Sequence, residues 1–272
     1  MKNLSFKNIF QLFLFNFRIC RKKIIGWSIA IFSIMFLYMI LFPYVQDIAE
    51  VKFDALPKEM LQFMGMQNLN EMSNYNTYYG MLINMILVAV AIFSATFSAA
   101  LIVKEEKTKS IEFLNALAVS RVEIFISKYC VSLIASSLIL MTAVISTIIC
   151  GFAVGGETFE LMDIITTIKI SGFGALFFGG IAFMLSGISV KLGTGGIVSG
   201  VILISYLLGF LGEILGEKGE FLISFSPFIS FNYENALMLS DKLILTLGIY
   251  YLIYIVSLFL GGYFYNKRDL SI

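Results

Sequence analysis

The sequence predicts an all-α integral membrane protein with six transmembrane helices and a short cytosolic helix between spans 2 and 3. Its 272 residues are 59% hydrophobic and only 14% charged, whereas roughly a quarter of the residues of a soluble domain are charged. The mean hydropathy is +0.91. Six apolar stretches are long enough to cross a bilayer, because a hydrocarbon core of about 30 Å requires about 20 residues of helix.

The six stretches lack the alternating pattern of barrel strands, so helices are the form that pairs every backbone polar group in lipid. The first is too long for the core of a signal peptide, and no small-residue cleavage site follows it, so we expect an uncleaved span. The chain 1–272 is therefore interpreted as one transmembrane domain. The stretches run near residues 24–42, 78–103, 124–152, 170–190, 195–215 and 243–265.

The distribution of Lys and Arg predicts the orientation. If the N-terminus is cytoplasmic, the cytoplasmic side carries 14 of the 19 basic residues and the outer side carries 5. The positive-inside rule therefore places both the N- and the C-terminus in the cytoplasm.

Composition also excludes several kinds of chemistry. The sequence has no histidine, so it has no imidazole base, relay or ligand. Its cysteines, Cys20, Cys130 and Cys150, are too scattered for a metal cluster or a disulfide framework. We expect no catalytic residue, no metal, no cofactor and no nucleic-acid partner for this chain; the net charge of +1 by itself says nothing about nucleic acid.

Two segments flank the first span. Residues 1–23 place apolar side chains at helical spacing among basic residues, which predicts an amphipathic helix on the inner membrane surface. The alternative is a cytosolic extension of the first spanning helix. Residues 43–77 are expected to form an outer loop in which Pro57 starts a short helix. We expect its apolar face to pack on the ends of the spans; the alternative is contact with a substrate.

Residues 104–123 form a charged elbow between the second and third spans. The chain leaves lipid at Lys104, and the apolar residues from Ile111 to Leu117 recur at helical spacing. Ser120 and Glu123 have the spacing of a capping box, which predicts that a new helix begins there and runs into the third span. Such an elbow can seat in a groove of a soluble partner and transmit a rigid-body movement to two spans. The alternative is a generic charged loop.

The elbow resembles a sequence pattern of ABC-2 type transporter permeases, the membrane subunits of one class of ATP-binding-cassette exporter. The similarity lies in Glu105-Glu106, in the run from Ser110 to Leu114 and in the run from Ala118 to Arg121. Six spans and Ser226-Pro227-Phe228 before the last span agree with it. The sequence departs from the pattern at Lys109, Ser110 and Ala118. The resemblance implies a coupling helix that contacts an ATPase through Glu105, Glu106, Ser110, Glu112, Phe113, Leu114, Val119, Ser120 and Arg121.

The resemblance also implies that ATP is bound elsewhere. The chain has no G-x-x-x-x-G-K-[ST] sequence, and GEILGEKG at 212–219 lacks the spacing of a phosphate loop. We therefore expect a separate ABC ATPase, in two copies, and a second permease protomer. The carboxylates of the elbow are interpreted as partner contacts and not as catalytic groups.

Small and hydroxyl side chains form stripes on several spans, including the edge Ser205, Gly209, Gly212 and Gly216. Such edges let helices pack closely in lipid, which is the role expected here; the alternative is that they line a conduit. No acid or base lies in the middle of a span, which disfavours a proton- or sodium-coupled carrier.

Residues 216–241 contain an apolar run too short to span, which predicts an outer or re-entrant segment. We expect Glu213, Glu217 and Glu220 near its outer mouth.

The sequence thus predicts the permease of an ATP-driven exporter in a cell membrane, a bacterial plasma membrane by resemblance. The cargo expected is amphipathic, such as an antimicrobial peptide, an antibiotic or a lipid. The alternative is a non-transporting membrane anchor or signalling partner of an ATPase.

Overall fold

The computed structural model describes residues 5–52, 73–107, 119–189 and 193–268, and within these ranges every regular element is helical. Six helices are long and apolar enough to span a membrane, which confirms the predicted fold class. The six are α1 Phe6–Ile40, α3 Tyr75–Lys107, α4 Arg121–Val154, α5 Leu161–Ile188, α6 Thr194–Leu215 and α10 Asp241–Lys267.

In the described ranges, four shorter α-helices and two 3₁₀ helices, Gly156–Thr158 and Gly216–Gly219, lie between these spans. Helix α2, Phe42–Lys52, follows α1 after a turn at Leu41. Helices α7 (Glu220–Ile223), α8 (Pro227–Ser230) and α9 (Tyr233–Met238) lie between α6 and α10. The short helix expected at Pro57 lies outside the described residues.

Helices α3 and α5 form the centre of the bundle. In the most apolar 18 residues of each helix, 72% of the residues are buried in α3 and 61% in α5. The corresponding fraction is only 22% to 28% in α1, α6 and α10. Helix α3 packs against α5, α6 and α4, while α1 packs mainly against α4 and α10 mainly against α5. Large apolar side chains on α1, α6 and α10 remain exposed, from Ile29 on α1 to Phe259 on α10. Lipid or another membrane chain must cover these faces.

The ends of the six spans alternate along the bundle. Helices α1, α4 and α6 begin, and α3, α5 and α10 end, at the end from which the elbow extends, here called the elbow end. The other end, called the opposite end, carries α2 and the short helices α7 to α9.

Two boundaries differ from those that the sequence predicts. Helix α1 runs without a break from Phe6 through Lys23 to Ile40, so the helix begins well before the apolar stretch near residues 24–42. Whether the segment before Ile24 lies on a membrane surface or extends the span stays a prediction. Helix α5 begins at Leu161, not near residue 170, because Asp163 in its first turn favours a helix N-terminus and Lys169 lies on an exposed surface of the helix.

The segment between α6 and α10 folds back into the bundle. The Ser205 hydroxyl donates to the carbonyl of Phe225 at 2.8 Å, and the Ser171 hydroxyl donates to that of Phe231. Ser205 lies ten residues before the end of α6, and Ser171 lies ten residues after the start of α5. At 1.5 Å per residue, both contacts are about 15 Å from the opposite-end termini of these helices. The segment is therefore re-entrant relative to the helix ends.

Candidate functional site

The elbow is bracketed by two helices. Glu105 and Glu106 lie in the last turn of α3, and Val119 and Ser120 precede Arg121, the first residue of α4. The side chains of Glu105 and Glu106 are outside the described part of the chain. Four further residues of the expected coupling site also lie outside the described residues, namely Ser110, Glu112, Phe113 and Leu114.

Helix α4 begins with the capping box expected from the sequence. Ser120 has an extended backbone, its hydroxyl accepts a hydrogen bond from the Glu123 amide at 3.2 Å, and its own amide donates to Glu123 Oε2 at 2.7 Å. These bonds satisfy amides that an α-helix leaves without intrahelical partners. The capping box therefore fixes Ser120 to the first turn of α4.

Glu123 also contacts α1, which the sequence analysis did not predict. Its Oε1 accepts hydrogen bonds from the Ser5 amide at 2.7 Å and from Asn8 Nδ2 at 3.4 Å. The side chain is only 2% exposed. Because Glu123 is more than 110 residues from both donors in the sequence, only the tertiary fold reveals these contacts.

Arg121 joins the start of α4 to the end of α10. Its Nη1 donates to the carbonyls of Asn266 at 3.2 Å and Arg268 at 2.8 Å. Arg268 in turn donates from Nη1 to the carbonyl of Ser186 at 2.7 Å, in the last turn of α5. The Ser186 hydroxyl shares a hydrogen bond with that of Thr194, the first residue of α6. These bonds connect four helix termini at the elbow end.

An apolar cluster supports the same end of the bundle. Val119 packs against buried side chains that come from α1, α3, α4, α5 and α10. The cluster fixes the point at which the elbow rejoins the bundle. Its buried members are Leu12, Ile102, Val103, Ile124, Phe125, Phe183 and Tyr265.

In the interior, the hydroxyl stripes of α3 and α4 bond to each other. Ser136 donates to Ser94 at 3.0 Å, and the hydroxyls of Ser98 and Ser132 are 2.5 Å apart. All four side chains are buried. These contacts agree with the expected packing role of the stripes, since interhelical hydrogen bonds contribute to association in lipid.

The small-residue edge of α6 faces the re-entrant segment and not a neighbouring span. A Cβ atom at Gly209 would overlap the side chain of Ser226, and one at Gly212 would lie 2.7 Å from Ile223 Cγ1. Gly80 of α3 makes the same kind of close approach to Tyr233 of α9. The glycines thus allow the segment to enter the bundle.

A small pocket lies where α3 and α6 meet this segment. Glu213 lines it, as do Asn84 of α3 and Glu234 of α9. Among the acids expected at the outer mouth, Glu213 is half-buried there, while Glu220 is exposed and forms an ion pair with Lys242. The side chain of Glu217 is outside the described part of the chain. The remaining lining residues are Thr77, Gly80, Met81, Met85, Tyr206, Phe210, Ile229, Asn232 and Tyr233.

A polar cluster beside the pocket joins the start of α5 to α3 and α9. Asp163 Oδ2 accepts hydrogen bonds from Asn76 Nδ2 at 3.4 Å and from the Tyr233 hydroxyl at 3.3 Å. Burial raises the pKa of Tyr233, and the adjacent Asp163 carboxylate raises it further. The phenol therefore stays protonated at neutral pH and can act as the donor in this bond.

The described residues contain no group of three or more side chains that could hold a metal ion. Six apolar helices, close helix packing and a re-entrant segment at one end define a multi-pass membrane protein. A family model described as multidrug efflux system permease Rv1217c, C-terminal domain, matches residues 12–265, so the chain belongs to this family of efflux permeases. No curated protein matches the chain.

Proposed function

We propose that this permease is the membrane subunit of an ABC-2 type exporter, driven by a separate ATPase that docks on residues 104–123. The observation that supports the proposal most strongly is the position of this segment. It leaves α3 directly and re-enters α4 through a capping box, at the end of the bundle that also carries Lys104, Arg121 and Lys267. A push on the elbow would therefore move two spans together.

The ATPase comes in two copies, each on one permease protomer, and ATP hydrolysis takes place on that partner. The exposed apolar faces of α1, α6 and α10 offer surfaces for a second protomer within the membrane. The dimer forms the translocation path. The elbow end faces the cytoplasm of a bacterial cell in this account, as the positive-inside rule predicts.

The cargo is amphipathic. The matched family is described as a multidrug efflux permease, which agrees with a drug-like substrate such as an antibiotic. The pocket lined by Glu213, Asn84 and Phe210 mixes polar and apolar groups and lies near the predicted outer exit. Ligand sites are generally concave and mostly apolar, with few polar groups that fix orientation.

Charge reversal of the elbow tests the docking site. The variant Glu105→Lys, Glu106→Lys, Glu112→Lys is expected to lose copurification of the ATPase at least tenfold while still inserting in the membrane. Because isolated surface pairs contribute only about 0–1 kcal/mol each, three reversals are combined.

The matched control reverses three acids of the opposite end, Glu157, Glu160 and Glu220, and should copurify the ATPase like the unmodified chain. An elbow variant that still binds and stimulates the ATPase normally would show that the partner docks elsewhere.

A further inference from the structure

Glu123 does more than cap its own helix. Its Oε2 accepts from the Ser120 amide at 2.7 Å and from the Ser120 hydroxyl at 3.0 Å, which completes the capping box at the elbow. Its Oε1 accepts from the Ser5 amide and from Asn8, both at the start of α1. One oxygen of this buried carboxylate therefore accepts hydrogen bonds from the elbow, and the other accepts hydrogen bonds from α1.

The charge of Glu123 is matched to two helix N-termini. It lies in the first turn of α4, and α1 has no acidic residue in its own first turn and no side-chain cap at Ser5. A helix N-terminus favours a nearby negative charge and leaves its first amides without intrahelical partners. Glu123 supplies to α1 the charge and the acceptor that the sequence of α1 does not provide.

Helix α1 can transmit a displacement at its contact with Glu123 into the bundle. It is one continuous helix of 35 residues, about 50 Å long. It is held to α4 again far from the elbow, where the Ser146 hydroxyl donates to the carbonyl of Phe32 at 3.2 Å and the Cys150 thiol donates to that of Phe36 at 3.7 Å. The two helices are thus joined at the elbow end and along their length.

We propose that Glu123 is a positioning residue that couples α1 to the elbow, so that the partner moves α1 together with α3 and α4. This inference rests on the proposed function, in which an ATPase pushes the elbow. Without the link, the push would reach α3 and α4 through the chain itself, and would reach α1 only through side-chain packing and the two hydrogen bonds far from the elbow.

A backbone substitution separates this link from the capping box. Proline at position 5 has no N–H to donate to Glu123, and it is tolerated at the start of a helix. The test variant is Ser5→Pro with Asn8→Ala, which removes both donors of α1 and leaves Ser120 and Glu123 unchanged. The matched control, Ser5→Ala with Asn8→Ala, keeps the amide of residue 5.

The first measurement is hydrogen exchange of the α1 amides of residues 9–12 in the permease alone, in lipid nanodiscs. We expect the proline variant to exchange about tenfold faster than the alanine control, because a hydrogen bond to a charged group is lost. Equal exchange in the two variants would overturn the link. This result does not depend on any ATPase.

The second measurement is transport per ATP hydrolysed in proteoliposomes that contain the ATPase. We expect the proline variant to copurify the ATPase normally and to transport about tenfold less per ATP than the control. Faster exchange with unchanged transport would overturn the coupling role. Absence of ATP-driven transport in the unmodified complex would instead refute the proposed function, and the coupling role with it.

Glu123→Gln provides a second variant in case proline prevents folding. A glutamine side chain has one acceptor oxygen, so it can accept from one helix terminus but not from both. It should lower transport per ATP as the proline variant does. Transport equal to that of the unmodified complex would contradict the role assigned to Glu123.

Discussion

At the scale of single residues, the re-entrant segment depends on glycines at close contacts. Gly209 faces Ser226 and Ile229, while Gly200 on the same helix has no atom within 4 Å of an added Cβ. The two positions therefore differ in packing although they share a helix and a residue type.

This difference gives a matched pair of substitutions. Gly209→Ala is expected to destabilise the protein by about 1–3 kcal/mol, because the added methyl group overpacks a filled contact. Gly200→Ala should leave stability unchanged or raise it by up to about 1 kcal/mol, because alanine favours the helix. Thermal unfolding in detergent, followed by a thiol-reactive dye that reports exposure of the buried Cys150, measures both. Equal melting temperatures for the two variants would argue against the close packing.

Residues with local partners could be predicted from the sequence, and residues with distant partners could not. The capping box was predicted because Ser120 and Glu123 lie three residues apart and helix geometry fixes their contact. The contacts of Glu123 with Ser5 and of Arg268 with Ser186 join helices far apart in the chain. No local spacing indicates them.

At the scale of elements, the end of α10 is fixed by groups from two other helices. The Arg121 guanidinium of α4 bonds to the carbonyls of Asn266 and Arg268, which the last turn of a helix leaves without intrahelical donors. Gly187 of α5 and Gly261 of α10 meet so closely that a Cβ at Gly187 would lie 2.7 Å from the Gly261 carbonyl oxygen. Helix α10 is thus held to α4 by hydrogen bonds and to α5 by close packing.

Removal of the Arg121 side chain should loosen this terminus. Arg121→Ala is expected to cost about 1 kcal/mol, less than the full value of hydrogen bonds to a charged group because the site is partly solvated. Hydrogen exchange of residues 264–268 should rise about fivefold, since 1 kcal/mol corresponds to that factor. Lys267→Ala is the control, since its side chain is exposed and bonds only to Tyr263 of its own helix among the bonds described. Unchanged exchange in Arg121→Ala would show that packing alone holds the terminus.

The existence and type of the six spans could be predicted because about 20 apolar residues have few alternatives to a membrane helix. Their ends could not, because tertiary contacts decide them. Because Asp163 is charged, a hydropathy pattern places it in a loop before the span. In the structure it lies in the first turn of α5, where it contacts Asn76 and Tyr233. Likewise, the edge containing Gly209 was identified as a close-packing surface, but sequence spacing did not identify its partner.

At the scale of the whole molecule, the two ends of the bundle are organised differently. The elbow end is connected by hydrogen bonds through Glu123, Arg121 and Arg268, which together reach the termini of α1, α4, α5, α6 and α10. The opposite end holds a re-entrant segment and a pocket with mixed polar and apolar lining. The proposed partner, by moving the elbow, would therefore act on most of the bundle at once.

We propose that this efflux permease is driven by an ATPase bound at its elbow end. It differs from a stand-alone carrier because the six apolar stretches carry charged side chains only near an end, at Lys128 and Glu213, whereas coupling ions generally require coordinating groups at depth. It differs from a passive anchor in requiring that ATP hydrolysis move a substrate.

The most direct test is ATP-dependent movement of a fluorescent amphipathic drug in proteoliposomes that contain this permease and the ATPase that copurifies with it. We predict transport that requires ATP and stops when the phosphate-loop lysine of the ATPase is replaced. Two results would contradict the account. Drug movement that needs neither ATP nor the ATPase would indicate a stand-alone carrier, and an ATPase that binds the permease and hydrolyses ATP while no drug moves would indicate a non-transporting membrane anchor.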